Sequence, residues 1–142
     1  MVMAVNENCI NYLLTIAQHT VFQYFSSELE KYGLTPAQHG VLSCLWEKGT
    51  STPKQLAEEL YLEMSTISGV LDRMQKKGLI ERTANKADRR GVIITATEKG
   101  RGLKEPVMET IAELNKRVMF AFNAEDVAEF KKNLKMVAEE KF

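Results

Sequence analysis

The 142-residue chain carries 19 Lys and Arg against 19 Asp and Glu, so its formal net charge is zero, and 44% of its residues are hydrophobic. That balance fits a single globular domain, without internal repeats or low-complexity tracts, and no apolar run nears the ~18 residues that span a bilayer. No basic segment followed by an apolar core and a small-residue cleavage site opens the chain, so a cytoplasmic location is expected.

Residues from about 6 to 31 read as one long helix, because Ile10, Leu13, Leu14, Ala17, Val21, Tyr24, Phe25 and Leu29 recur at steps of three and four. Gly33 marks its end. One small core cannot cover so long a helix, so part of it is expected to meet a partner subunit; cover by the C-terminal helices is the alternative. Thr35-Pro36-Ala37-Gln38 starts the next helix. Thr35 caps, Pro36 takes the first position where a missing N–H costs nothing, and Gln38 completes a capping box. This helix runs through Val41, Leu42, Leu45 and Trp46 to Gly49, and Gly49-Thr50-Ser51 reads as a turn.

The same start signal returns at Thr52, Pro53 and Gln55 and opens a short helix, with a tight turn and a second helix behind it. In that second helix Ile67, Val70, Leu71 and Met74 form a stripe to be buried. Its opposite face carries Ser65, Thr66, Ser68, Gly69, Asp72, Arg73 and Lys76, and Gly78 stands where a left-handed cap is wanted. Strands over 79–83 and 91–95 flank a basic loop over 85–90, which reads as a wing. A helix dry on one side, with small polar groups, Arg and Lys on the other, is shaped to enter a major groove.

After the wing, Thr97-Glu98 opens another helix, and Pro106 is expected to kink it or mark a second start. Val107, Ile111, Leu114, Val118 and Phe122 make its stripe. A last helix from Asn123 or Ala124 carries Val127, Phe130, Leu134 and Val137. The expected fold is mostly α with a small β-hairpin wing: a winged helix-turn-helix lobe over 34–104 inside one domain of 1–142. Residues 1–33 and 106–142 are expected to form a helical dimerisation layer.

Charge is distributed unevenly. From Arg73 to Lys104, ten Lys or Arg face Glu81, Asp88 and Glu98, an excess of +7 that the rest of the chain balances. An acidic body holding a basic segment suits a reader of double-stranded DNA, although composition alone also allows a solvated charge run. Ser65, Thr66 and Ser68 are placed for phosphate or base-edge bonds, Arg73 for a guanine or a phosphate, and Lys76 lies on the same face. Gly69 leaves room for close approach of backbone. Lys86, Arg89 and Arg90 would reach from the wing toward phosphates and the minor groove, with Asp88 pairing a wing arginine.

Tyr12, His19, Tyr24, His39 and Trp46 are candidate walls for a small phenolic or lipophilic effector where layer meets lobe; core or dimer roles compete for each. Cys9 and Cys44 make no disulfide framework or zinc pattern, and His19 and His39 lack ligand partners in sequence, so no metal and no cofactor are expected. No nucleophile–base arrangement, phosphate loop or paired carboxylates suggest an enzyme.

The order of these elements resembles the MarR family of bacterial and archaeal transcription regulators, over nearly the whole chain. The most specific pieces are Lys77-Gly78-Leu79-Ile80-Glu81-Arg82, Asp88-Arg89-Arg90 and Thr97-Glu98-Lys99-Gly100; Leu56-Ala57 and Ser65-Thr66-Ile67-Ser68 also match. The resemblance implies an obligate homodimer on a pseudo-palindromic operator, Arg90 in the minor groove, and repression as the commoner outcome. Ala96 departs from the leucine usual before the T-x-x-G element. Cys9 lies nearer the helix start than in the peroxide-sensing branch, and His39 stands where a tyrosine belongs in it. A thiol-based redox regulator of the same fold and a DNA-blind winged-helix interaction module remain as alternative readings.

Overall fold

A computed structural model describes residues 7–89 and 91–142. Helix α1 (Ile10–Leu29) runs into a 3-10 turn (Glu30–Tyr32) and stops at Gly33, whose φ is +69°. The Leu34 N–H returns to the Leu29 carbonyl and the Gly33 N–H to that of Glu30, so the last carbonyls are satisfied. Helices α2 (Pro36–Lys48) and α3 (Pro53–Leu60) both open on the expected capping boxes. Thr35 Oγ1 accepts from the Gln38 N–H at 3.2 Å, and Thr52 Oγ1 from the Gln55 N–H at 3.1 Å.

Helix α4 (Met64–Lys76) completes the helix-turn-helix. Thr50-Ser51, read above as part of a turn, instead forms strand β1 (Thr50–Ser51). With β2 (Ile80–Ala84) and β3 (Val92–Ala96) it makes a three-stranded antiparallel sheet in the order β1-β3-β2. Thr50 stands opposite Thr95, and Ile80 opposite Ala96. Two residues are too few for an alternating pattern to show, and their partner strand is distant in sequence, so nothing local marks β1. Leu42, Leu56, Ile67, Leu71, Met74, Leu79, Ile80 and Ile94 fill the space between helices and sheet and are fully buried.

Helix α5 (Glu98–Gly102) is capped by Thr97 and breaks at Leu103, where α6 (Lys104–Val118) begins. Pro106 therefore falls in the first turn of α6, where the N–H it lacks would have no partner. The second start lies two residues upstream of the proline. Helix α7 (Ala124–Glu139) opens where Asn123 Oδ1 accepts from the Asp126 N–H at 2.8 Å. The end of α1 is tied to α6 through Tyr32 Oη, 2.5 Å from Thr110 Oγ1.

Val107 and Leu114 of α6 are buried, but α7 and much of α1 are open. Ile10 is 64% exposed, Leu13, Leu14 and Phe22 are exposed with it, and no residue of α7 is buried. Phe130, Leu134, Met136 and Val137 are all exposed, and the Phe122 and Phe130 rings stack 5.8 Å apart. No helix among the described residues is long and apolar enough to cross a membrane.

Candidate nucleic-acid interface

The sorting of α4 into two faces is sharp. Ile67, Val70, Leu71 and Met74 are buried, while Ser65, Thr66, Ser68, Asp72, Arg73 and Lys76 are exposed and Gly69 is half-buried. The helix ends at Gly78, φ +73°, with the Leu79 N–H bonded to the Met74 carbonyl at 3.0 Å. A left-handed residue is needed there, and glycine takes that conformation without a Cβ clash.

The two most specific sequence pieces meet at this point. Thr97 Oγ1 donates to the Gly78 carbonyl at 2.5 Å and accepts from the Gly100 N–H at 3.1 Å. The Thr97 N–H donates to the Leu79 carbonyl at 3.0 Å, and a Cβ on Gly100 would collide with that carbonyl. Trp46 Nε1–H closes the far side on the Gly100 carbonyl at 3.0 Å. Lys77-Gly78-Leu79 and Thr97–Gly100 are two halves of one joint that fixes the end of α4.

The basic stretch divides into two kinds of cation. Lys77 Nζ donates to the Gly33 carbonyl at 2.7 Å and to the buried Gln38 Oε1 at 2.9 Å, and Lys99 Nζ donates to the Lys77 carbonyl at 2.8 Å. Arg101 donates to the Ala96 carbonyl, and Arg82 pairs Asp72 at 2.8 Å while also donating to Gln75 Oε1. These four brace the lobe, so the charge excess overstates what is offered to a duplex. Asp72 is likewise tied to Arg82 and anchors the sheet to α4. By contrast Arg73, Lys76, Lys86 and Arg89 are exposed, and their side chains make no hydrogen bond or ion pair among the described residues. Arg90 lies outside the described residues.

At Gly69 the expectation changes. The Arg73 guanidinium occupies the space there, with one nitrogen 3.3 Å from where a Cβ would stand. The missing side chain makes room for Arg73 to lie along the helix. In the wing, the Asn85 N–H donates to the Gly91 carbonyl and Asn85 Oδ1 accepts from the Ala87 N–H, both at 3.0 Å. The loop is closed by these bonds and holds Lys86 and Arg89 outward.

Among the described residues the five candidate effector residues do not line one shared cleft. His19 lies in a shallow groove along α1 beside Leu14 and Phe22. Tyr24 lines a cleft of about 310 Å³ between α1 and α6, and Trp46 a separate one of about 420 Å³ beside Arg101 and Lys104. His39 meets the Trp46 ring edge-on and Ser43 Oγ at 3.1 Å, and burial lowers its pKa. Tyr12 borders none of these clefts. The reason is length: at 1.5 Å per residue, Tyr12 and Tyr24 stand about 18 Å apart along α1, too far to wall one small molecule. Cys9 is exposed at the start of α1, and burial pushes the Cys44 thiol up.

A recognition helix with a dry face and an outward face of hydroxyls and cations, flanked by a basic wing, defines a winged helix-turn-helix DNA-binding protein. Residues 34–92 match the MarR family. The chain is 34% identical over 131 residues to the organic hydroperoxide resistance transcriptional regulator of Bacillus subtilis, across 90% of this chain and 86% of that protein. It also superposes on a probable transcriptional regulator from Pseudomonas aeruginosa, with a TM-score of 0.86 and 26% identity over 92% of this chain and 98% of that one. A mutant MarR from E. coli complexed with operator DNA gives a TM-score of 0.84 and 26% identity, over 90% and 92% of the two chains. The chain belongs to the MarR family and is a DNA-binding transcriptional regulator.

Proposed function

We propose that two copies of this chain form a homodimer through 1–33 and 106–142 and set their 34–104 lobes on a pseudo-palindromic duplex, about one turn (~34 Å) apart. The observation that carries this is one of pairing: the chain leaves apolar faces uncovered on α1 and α7, and unpartnered cations on α4 and the wing. Ser65, Thr66 and Ser68 bond base edges or phosphates, Arg73 and Lys76 follow on the same face, and Lys86, Arg89 and Arg90 engage the backbone and minor groove. The dimer acts in the cytoplasm as a repressor, without catalysis. A small phenolic or lipophilic effector that prefers the unbound spacing of the lobes releases it. Since the five candidate walls are scattered in one chain, such a pocket has to be completed by the partner. Fluorescence anisotropy on the DNA upstream of the gene tests the reading: affinity must fall steeply with salt, and a flat response would discard it.

One observation favours a second trigger on the same fold. Cys9 is exposed at the head of α1, and the Bacillus subtilis relative is by name a hydroperoxide resistance regulator. Cys44 is the poorer candidate because its raised pKa leaves less thiolate. Peroxide titrated against the protein–DNA complex would release wild type and spare Cys9→Ser if the thiol is the trigger; release of both would exclude it.

A further inference from the structure

Tyr61 is the sole residue other than glycine with a positive φ among the described residues, at φ 54° and ψ 45°. It forms the turn between α3 and α4. The turn closes as the ends of α1 and α4 do, with the Leu62 N–H bonded to the Ala57 carbonyl at 2.9 Å. At the two equivalent positions the chain uses Gly33 and Gly78. A Cβ makes this conformation costly, so glycine would serve the turn better.

Nothing among the described residues compensates. Leu60 and Leu62, on either side, pack against the core, while Tyr61 is 85% exposed and its hydroxyl has no partner among the described residues. A residue that strains its backbone and buries nothing points to a use outside the fold. Its place says which use. Tyr61 lies three residues before Met64, at the end of α4 from which Ser65 and Thr66 present their hydroxyls.

We infer that Tyr61 is a further DNA contact: its phenol O–H donates to a phosphate oxygen beside the groove that α4 enters, and its ring rests against the adjoining deoxyribose. The inference rests on the DNA-binding reading of α4. Two consequences separate it from the cationic contacts. Tyrosine is neutral and displaces no counterion, so its loss leaves the salt slope of binding unchanged. A phosphate contact carries no sequence information, so every duplex is affected alike.

The test compares wild type, Tyr61→Gly and Tyr61→Phe on a labelled mixed-sequence duplex at low salt, with thermal melting of each protein. Tyr61→Gly should raise the melting temperature by about 2–4 °C and weaken binding about tenfold, with the salt slope intact. Tyr61→Phe should lose most of that affinity at unchanged stability. Wild-type affinity in both variants would overturn the contact, as would a Tyr61→Gly protein that melts earlier, because the side chain would then be structural. A wild-type protein that binds no duplex would instead bring down the DNA-binding reading itself.

Discussion

The lobe from α2 to α5 and the helices α1 and α7 are built from the same amphipathic signal and end in opposite states. In α4 the apolar stripe is sealed in the core cluster that also holds Leu42, Leu56 and Ile94, and the helix end is held by Thr97, Lys77 and Lys99. In α7 a stripe of the same spacing seals nothing, and in α1 only Leu29 is buried. Periodicity reports that a helix has an apolar side; it does not report what covers that side. Most helical stability in proteins comes from tertiary packing, and the apolar faces of α1 and α7 stay exposed in the single chain, whereas the lobe closes on its own.

The largest expected effect breaks the lobe. Gly100→Ala would drive a Cβ into the Leu79 carbonyl at the joint between α4 and α5. Backbone, unlike a flexible side chain, cannot step aside cheaply, so a loss of about 2–3 kcal/mol is expected in denaturant unfolding. Unchanged stability would mean the joint is looser than its hydrogen bonds indicate.

Next in size is a break in the layer. Phe130→Ser combined with Leu134→Ser removes two exposed side chains, so the fold of the single chain should survive. The proposed dimer should not: a loss of about 2 kcal/mol or more, some thirtyfold in dissociation constant, is expected by sedimentation equilibrium. A mass that stays dimeric would take α7 out of the interface.

Within the lobe, two cations four residues apart in α4 and its cap should behave oppositely. Arg73→Ala removes an exposed group without a partner and should weaken duplex binding about tenfold while leaving the melting temperature in place. Lys77→Met cuts the two bonds to Gly33 and Gln38 and should cost about 1 kcal/mol of stability, a modest figure because the lysine is largely solvated. Equal effects on binding and stability in both variants would erase the division between bracing and outward cations.

That division shows what could be read from the sequence and what could not. Both capping boxes, the buried stripe of α4, the cap glycine Gly78 and the start of α7 are local chemistry, and each stands where the residues place it. Strand β1, the bonding of Lys77, Arg82, Lys99 and Arg101 to the protein itself, and the space at Gly69 filled by Arg73 depend on partners brought together by folding. A basic run looks the same in sequence whether its charges brace the protein or face outward. Tyr61 escaped for a related reason: a left-handed turn is signalled by glycine, and here the glycine is absent.

The smallest effect separates the two regions by pH. His39 on α2 is half-buried against Trp46 and Ser43, and that burial disfavours its charged form. Its folded pKa therefore lies below the ordinary imidazole value of about 6.5. Below that value the unfolded chain binds the proton first, so lobe stability should decline as pH falls through 6.5 and level off once the folded pKa is passed. His39→Gln keeps a polar group beside Ser43 but cannot titrate, and should flatten this part of the profile. The proposed dimer contacts of α7 lie on another element, so the self-association constant of His39→Gln and wild type should follow the same pH course. A pH-dependent dimer that His39→Gln abolishes would show that lobe and layer are coupled through α2, and that the lobe is less self-contained than its buried core implies.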